Sequence, residues 1–131
     1  MSQGRGSASF PPGKAPLLLF YLALLLSAQM DGVRSATYVV GGPGGWTFNV
    51  VRWTDGKRFR AGDVLVFNYD STNHNVVAVD RGSYNGCKTP AGAKLFTSGS
   101  DRIRLAKGQN YFICNFSGHC ESGMKIAVSA A

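Results

Sequence analysis

The sequence predicts an all-β domain, a Greek-key β-sandwich of about seven to eight strands with at most short helices, on three observations. From Ala36 onward, short apolar runs alternate with clusters of Gly, Asn, Asp and Ser. These runs recur at roughly ten-residue intervals, the spacing of small antiparallel sandwiches. Almost no segment of this stretch has the period of a helix.

Seven strands are predicted, at residues 37–40, 63–69, 75–80, 94–97, 101–106, 110–114 and 124–129. Two have a clean period of two. In one, Ile103 and Leu105 alternate with Arg102 and Arg104, which places the arginines on the wet face. In the other, Met124, Ile126 and Val128 share a face opposite Lys125. A GGPGG turn at 41–45 precedes Trp46, Phe48 and Trp53, and further strands are expected between Trp46 and Phe59. Any helix should be short and lie within 83–93.

The first third of the 131-residue chain reads differently. Residues 17–26, LLLFYLALLL, form an uncharged apolar run behind Arg5 and Lys14 and ahead of the more polar SAQMDGVRS. That is the layout of a secretory signal peptide, and the run is about half of the ~20 residues a bilayer-spanning helix needs. Residues 1–35 are therefore expected to be removed, with the cut after Ser35, or alternatively after Ala36 or Ala28. A single secreted domain, 36–131, would remain, without a membrane anchor and as a monomer.

In that domain eleven Lys and Arg face six Asp and Glu, a net charge of +5. For an extracellular protein this favours an acidic redox partner or an acidic cell-wall polysaccharide and argues against nucleic acid. Simple solubility is the alternative reading of the same charges. The cysteine count is more informative. Cys87, Cys114 and Cys120 are an odd number for an oxidising compartment, so one pair can bridge and one thiol has another task.

The chemistry concentrates in Cys114-Asn-Phe-Ser-Gly-His119-Cys-Glu-Ser-Gly-Met124. A thiol, an imidazole and a thioether follow one another at five-residue steps on a Gly-containing loop between two predicted strands. Upstream, His74 opens the strand at 75–80. Taken alone, each residue has an ordinary structural explanation. Together, two imidazoles, a thiolate and a weak thioether are the donor set of a blue-copper site. Cu(I) favours soft sulfur and Cu(II) favours nitrogen, so a mixed set changes little as one copper ion cycles between the two states.

These segments resemble the phytocyanin family, the plant branch of the cupredoxins, and especially its plantacyanin (basic blue) branch. The resemblance is carried by YVVGGPGGWTF at 38–48, AGDVLVFNY at 61–69, HNVVAV at 74–79, YNGC at 84–87 and FICNFSGHCESGMKIAV at 112–128. It implies a cupredoxin-like fold, copper ligands His74, Cys114, His119 and Met124, and a Cys87–Cys120 disulfide. It also suggests that Asn75 ties the two ligand loops together, ordering the ligands from behind. One position departs from the family: Ser117 stands where Pro is usual, creating the glycosylation triplet Asn115-Phe116-Ser117. Because metal and disulfide both close this loop, the triplet is expected to be unused.

The function implied is one-electron transfer without substrate turnover, since no paired carboxylates or spare histidines form a catalytic set. An extracellular cell-wall or signalling protein with a structural, non-redox copper is the alternative. A zinc module ranks third, because a thioether is a poor zinc ligand.

Overall fold

The structure, a computed structural model, describes residues 34–131. Apart from Arg34 and the exposed Ser35, the expected signal segment lies outside the described residues. No helix among the described residues is long and apolar enough to cross a membrane. Ser35–Ala131 forms one compact unit.

Among the described residues seven strands build two sheets: β1 (Thr37–Val39), β2 (Val64–Asn68), β3 (Val76–Val79), β4 (Lys94–Phe96), β5 (Ser100–Arg104), β6 (Gly108–Ile113) and β7 (Lys125–Ala130). One sheet runs β1-β2-β5 and the other β4-β3-β6-β7. Only β1 and β2 pair in parallel, and the chain changes sheet after β2, β4 and β5. All seven predicted strands are present, within one to two residues at most ends.

Alternation places the core. In β5, Arg102 and Arg104 face solvent while Ile103 pairs with the fully buried Leu65 of β2. Met124, Ile126 and Val128 are fully buried, on one face as their period requires. Sheet β4-β3-β6-β7 is covered on its second face too. Val77 and Ile113 pack there with Cys120, Tyr84 and Cys87, under a helix α1 (Arg81–Gly86). This helix begins earlier than expected because Asp80 ends no strand. Its carboxylate accepts from Ser83 N at 2.8 Å and caps the helix instead.

The further strands expected between Trp46 and Phe59 do not form. The chain makes 3-10 turns at Gly42–Gly44 and Val51–Thr54, and Phe59 meets β7 only through an isolated bridge to Ala130. Here the large residues enter the core singly. Trp46 is buried and Phe48 is 41% exposed, so no alternating face exists for a ladder. Gly45 lets the backbones meet: its φ is +73°, and a Cβ there would stand 2.7 Å from Asn68 O. Trp46 N uses that approach to donate to the same oxygen at 2.9 Å.

Just past β2, the Tyr69 hydroxyl donates to the buried Asp101 carboxylate of the neighbouring β5 and lies 3.2 Å from Phe96 O of β4 in the other sheet. Burial first, and the Asp101 bond second, push this phenol up to about 12. A raised pKa adds stability that is fully present below the ordinary value of ~10 and disappears as pH climbs through the folded value. Tyr69→Phe should therefore cost about 1–3 kcal/mol, the penalty for leaving a buried acceptor short of a donor. It should also flatten the loss of stability between pH ~10 and ~12. Urea titrations at neutral and alkaline pH measure both; identical alkaline profiles would show that the hydroxyl is dispensable.

Candidate metal centre

His74 is set by the turn before it. The exposed Asp70 carboxylate accepts from Thr72 N at 2.9 Å and Thr72 Oγ1 at 2.7 Å, bonds that lower its pKa. Its carbonyl takes both Asn73 N and His74 N at 3.0 Å. The chain is thus wound tightly just before His74, and β3 begins two residues later. Cys114 follows the last residue of β6 and is completely buried.

The loop that follows is closed by its own backbone. His119 N donates to Phe116 O at 3.0 Å, Gly123 N to Cys120 O at 2.9 Å and Met124 N to His119 O at 3.1 Å. Cys114 N returns to Met124 O at 3.1 Å. Met124 is therefore bonded through its main chain to both neighbours, and its buried side chain lies in the same cluster as Cys114. The Cys87–Cys120 disulfide is formed and anchors the residue after His119 to the end of α1.

These elements bring three donors together. His74 Nδ1 lies 3.1 Å from His119 Nδ1, which lies 3.6 Å from Cys114 Sγ. All three donor atoms are within 4.8 Å of one another. Two imidazole nitrogens aimed at each other beside a thiol have lone pairs converging on one point, so the set fits a soft, nitrogen- and sulfur-seeking ion. Burial, then the neighbouring His119, lower the pKa of His74 against the opposing pull of Asp70. A lowered pKa keeps this imidazole neutral, and able to bind metal, further into acid.

Several supports around the donors are non-local and leave no periodic signature. Phe48 makes T-shaped ring contacts with His74 and His119, with centroids at 5.5 and 4.8 Å. Phe116 stacks on His119 at 5.6 Å. Trp46 Nε1 donates to Asn75 O at 2.9 Å, carrying the GGPGG segment to the His74 strand. The buried Asn75 in turn accepts from Asn115 N at 3.0 Å and donates to Asn115 Oδ1 at 2.6 Å. Asn115 Nδ2, the atom a glycan would occupy, donates to Thr89 Oγ1 at 3.1 Å. Both imidazoles, with Phe48, Phe116, Thr72 and Asn73, line a surface depression of about 380 Å³, whereas Cys114 and Met124 do not reach it.

Comparison with known proteins places this geometry. The family described as plastocyanin-like domain matches residues 46–124. A basic blue protein of Arabidopsis thaliana is 63% identical over 130 residues, covering 99% of each chain. A basic blue protein of Cucumis sativus is 67% identical over 95 residues, 72% of this chain and 99% of that one. Among solved structures, cucumber basic protein, a blue copper protein, aligns at 67% identity with a TM-score of 0.73, over 73% of this chain and all of the other.

Proposed function

The chain belongs to the plastocyanin-like family of blue copper proteins, and from that premise we propose that it is a secreted one-electron carrier whose copper is held by His74, Cys114, His119 and Met124. Its cofactor is copper, and it is an electron carrier, not an enzyme. One observation carries the ligand assignment: two imidazole nitrogens and a buried thiol converge within 4.8 Å.

Copper supplies the one-electron couple between Cu(I) and Cu(II) when bound. The chain's own contribution is positional. Asp70 and Asn75 fix the approach of His74 and the turn after Cys114, so neither donor must be recruited from disorder. Burial of Cys114 and Met124 keeps water from the sulfur side. A partner resting in the depression meets the imidazoles between Phe48 and Phe116. Eleven basic against six acidic residues in 36–131 favour an acidic partner. The apolar run at 17–26 supports export.

The colour of the oxidised, copper-loaded protein tests the proposal: an intense thiolate-to-copper band that bleaches on reduction is expected. Met124→Gln tests whether the Met124 thioether would serve as a ligand. A thioether favours Cu(I), whereas a harder amide oxygen favours Cu(II), so the midpoint potential should fall. For one electron ~59 mV is a tenfold change, well within voltammetric reach. Burying an amide where Met124 is fully buried should also cost about 1–3 kcal/mol. A stability loss with an unmoved potential would make Met124 a core residue only.

A further inference from the structure

Asp63 is 2% exposed, one of three buried polar or charged residues among those described. The other two are engaged by side chains: Asp101 by Tyr69 and Ser98, and Asn75 by Asn115. Asp63 is not. Its Oδ1 accepts from Ala36 N and its Oδ2 from Arg60 N, each at 2.8 Å, and both donors are backbone amides. Among the described residues no cationic side chain forms an ion pair with it. A buried carboxylate held by two neutral donors keeps about half of its acceptor sites unused and a charge uncompensated.

We infer that hydrolysis of the peptide bond between Ser35 and Ala36 supplies the missing cation, turning the Ala36 nitrogen into the ammonium partner of buried Asp63. The inference rests on the secretory reading above. A signal-peptidase-class hydrolase adds water across the bond. The carboxylate leaves with Ser35, and the freed Ala36 amine takes up a proton. The nitrogen already stands 2.8 Å from Oδ1, so the folded chain needs no rearrangement to form the pair. Ala36 is also fixed from its other side, since its carbonyl accepts from Val64 N at 2.9 Å. The bond to be cut lies at the junction of this anchored residue with the exposed Ser35.

Position decides between the expected cuts. Cleavage after Ala36 would remove the nitrogen that Asp63 holds, and cleavage after Ala28 would leave it a neutral amide. Only a cut after Ser35 creates a charge at that atom. The Cucumis sativus relative, matched over nearly its whole length by 95 residues of this chain, has about the length of 36–131. Next to Asp63 in the fold, Arg60 donates its N to the carboxylate, and Arg104 of β5 donates through Nη1 to Gly62 O at 3.0 Å.

The test compares copper-loaded chains beginning at Ala36 and at Ser35. In the Ala36 chain the α-amino group, followed by NMR, should titrate at least one unit above its ordinary ~7.7–8.0 and return towards that range in Asp63→Asn. A raised pKa stabilises below the ordinary value and ceases to do so as pH rises through the raised one. The Ala36 chain should accordingly unfold with a roughly tenfold smaller equilibrium constant at pH ~6, and the advantage should vanish in alkali. This comparison stands even if Asp63→Asn fails to fold. An unshifted α-amino group, or equal stability of the two chains, overturns the pairing. N-terminal sequencing of protein exported by plant cells should begin at Ala36. Another first residue overturns the choice of bond while leaving export intact, and absence of exported protein overturns the secretory reading and the processing step with it.

Discussion

Replacing Cys114 with serine is expected to abolish the blue colour of the copper-loaded protein completely while the sandwich remains folded. The band requires a thiolate donating into Cu(II), and Cys114 is the free cysteine among the described residues, the other two being joined to each other. Serine is close to cysteine in size, so the fully buried position at the end of β6 is not emptied. Its hydroxyl can use His119 Nδ1, 3.6 Å from the present sulfur, as a partner. What is lost is the soft, ionisable donor, and copper affinity falls with it. Absorption spectra and metal content, taken with circular dichroism, separate loss of the site from loss of the fold. A blue Cys114→Ser protein would refute the ligand assignment.

The strands were legible because each obeys a local rule. Arg102 and Arg104 alternate with buried partners, and Met124, Ile126 and Val128 repeat at two, so a half-buried sheet face can be read from neighbours in the chain. The proximity of the His74, Cys114 and His119 side chains was legible for a related reason. The stretch 114–124 is one loop, and its ring closures, such as Met124 N to His119 O, are local. Only His74 had to be brought from elsewhere in the sequence.

What was not legible depends on contacts between distant segments. Trp46 and Phe48 lie in a run that looked like strand, yet one fills the core and bonds to Asn75 O while the other lies against both imidazoles. Neither task has a period. The same holds for Asn115 and Thr89, which share a hydrogen bond across 26 residues. Asp80 shows the smaller failure: a residue that could end a strand or cap a helix does the second, because Ser83 N is in reach.

Removing the Cys87–Cys120 bridge should give the largest loss of stability of any single covalent change to the domain while sparing its colour. The bridge spans 33 residues. On the chain-entropy account, releasing that loop in the unfolded state costs about 3–4 kcal/mol. A domain of this size has only about 5–15 kcal/mol in total. At roughly 4–8 °C per kcal/mol, the melting temperature should fall by about 12–32 °C. The double variant Cys87→Ser, Cys120→Ser should cost little more than either single variant, because one bond is lost in every case. Neither sulfur is a proposed donor, so oxidised protein should stay blue. The bridge nevertheless holds the residue after His119, and Cys120 packs with Val77 and Ile113 behind β3 and β6. Copper should therefore leave the reduced variant faster than wild type, a rate that a chelator competition measures alongside the melting curve. Unchanged melting would show that packing of Cys120 among these side chains already fixes the loop. Lost colour in Cys87→Ser, whose sulfur lies at the end of α1, would show that the bridge is needed for the donors to converge at all.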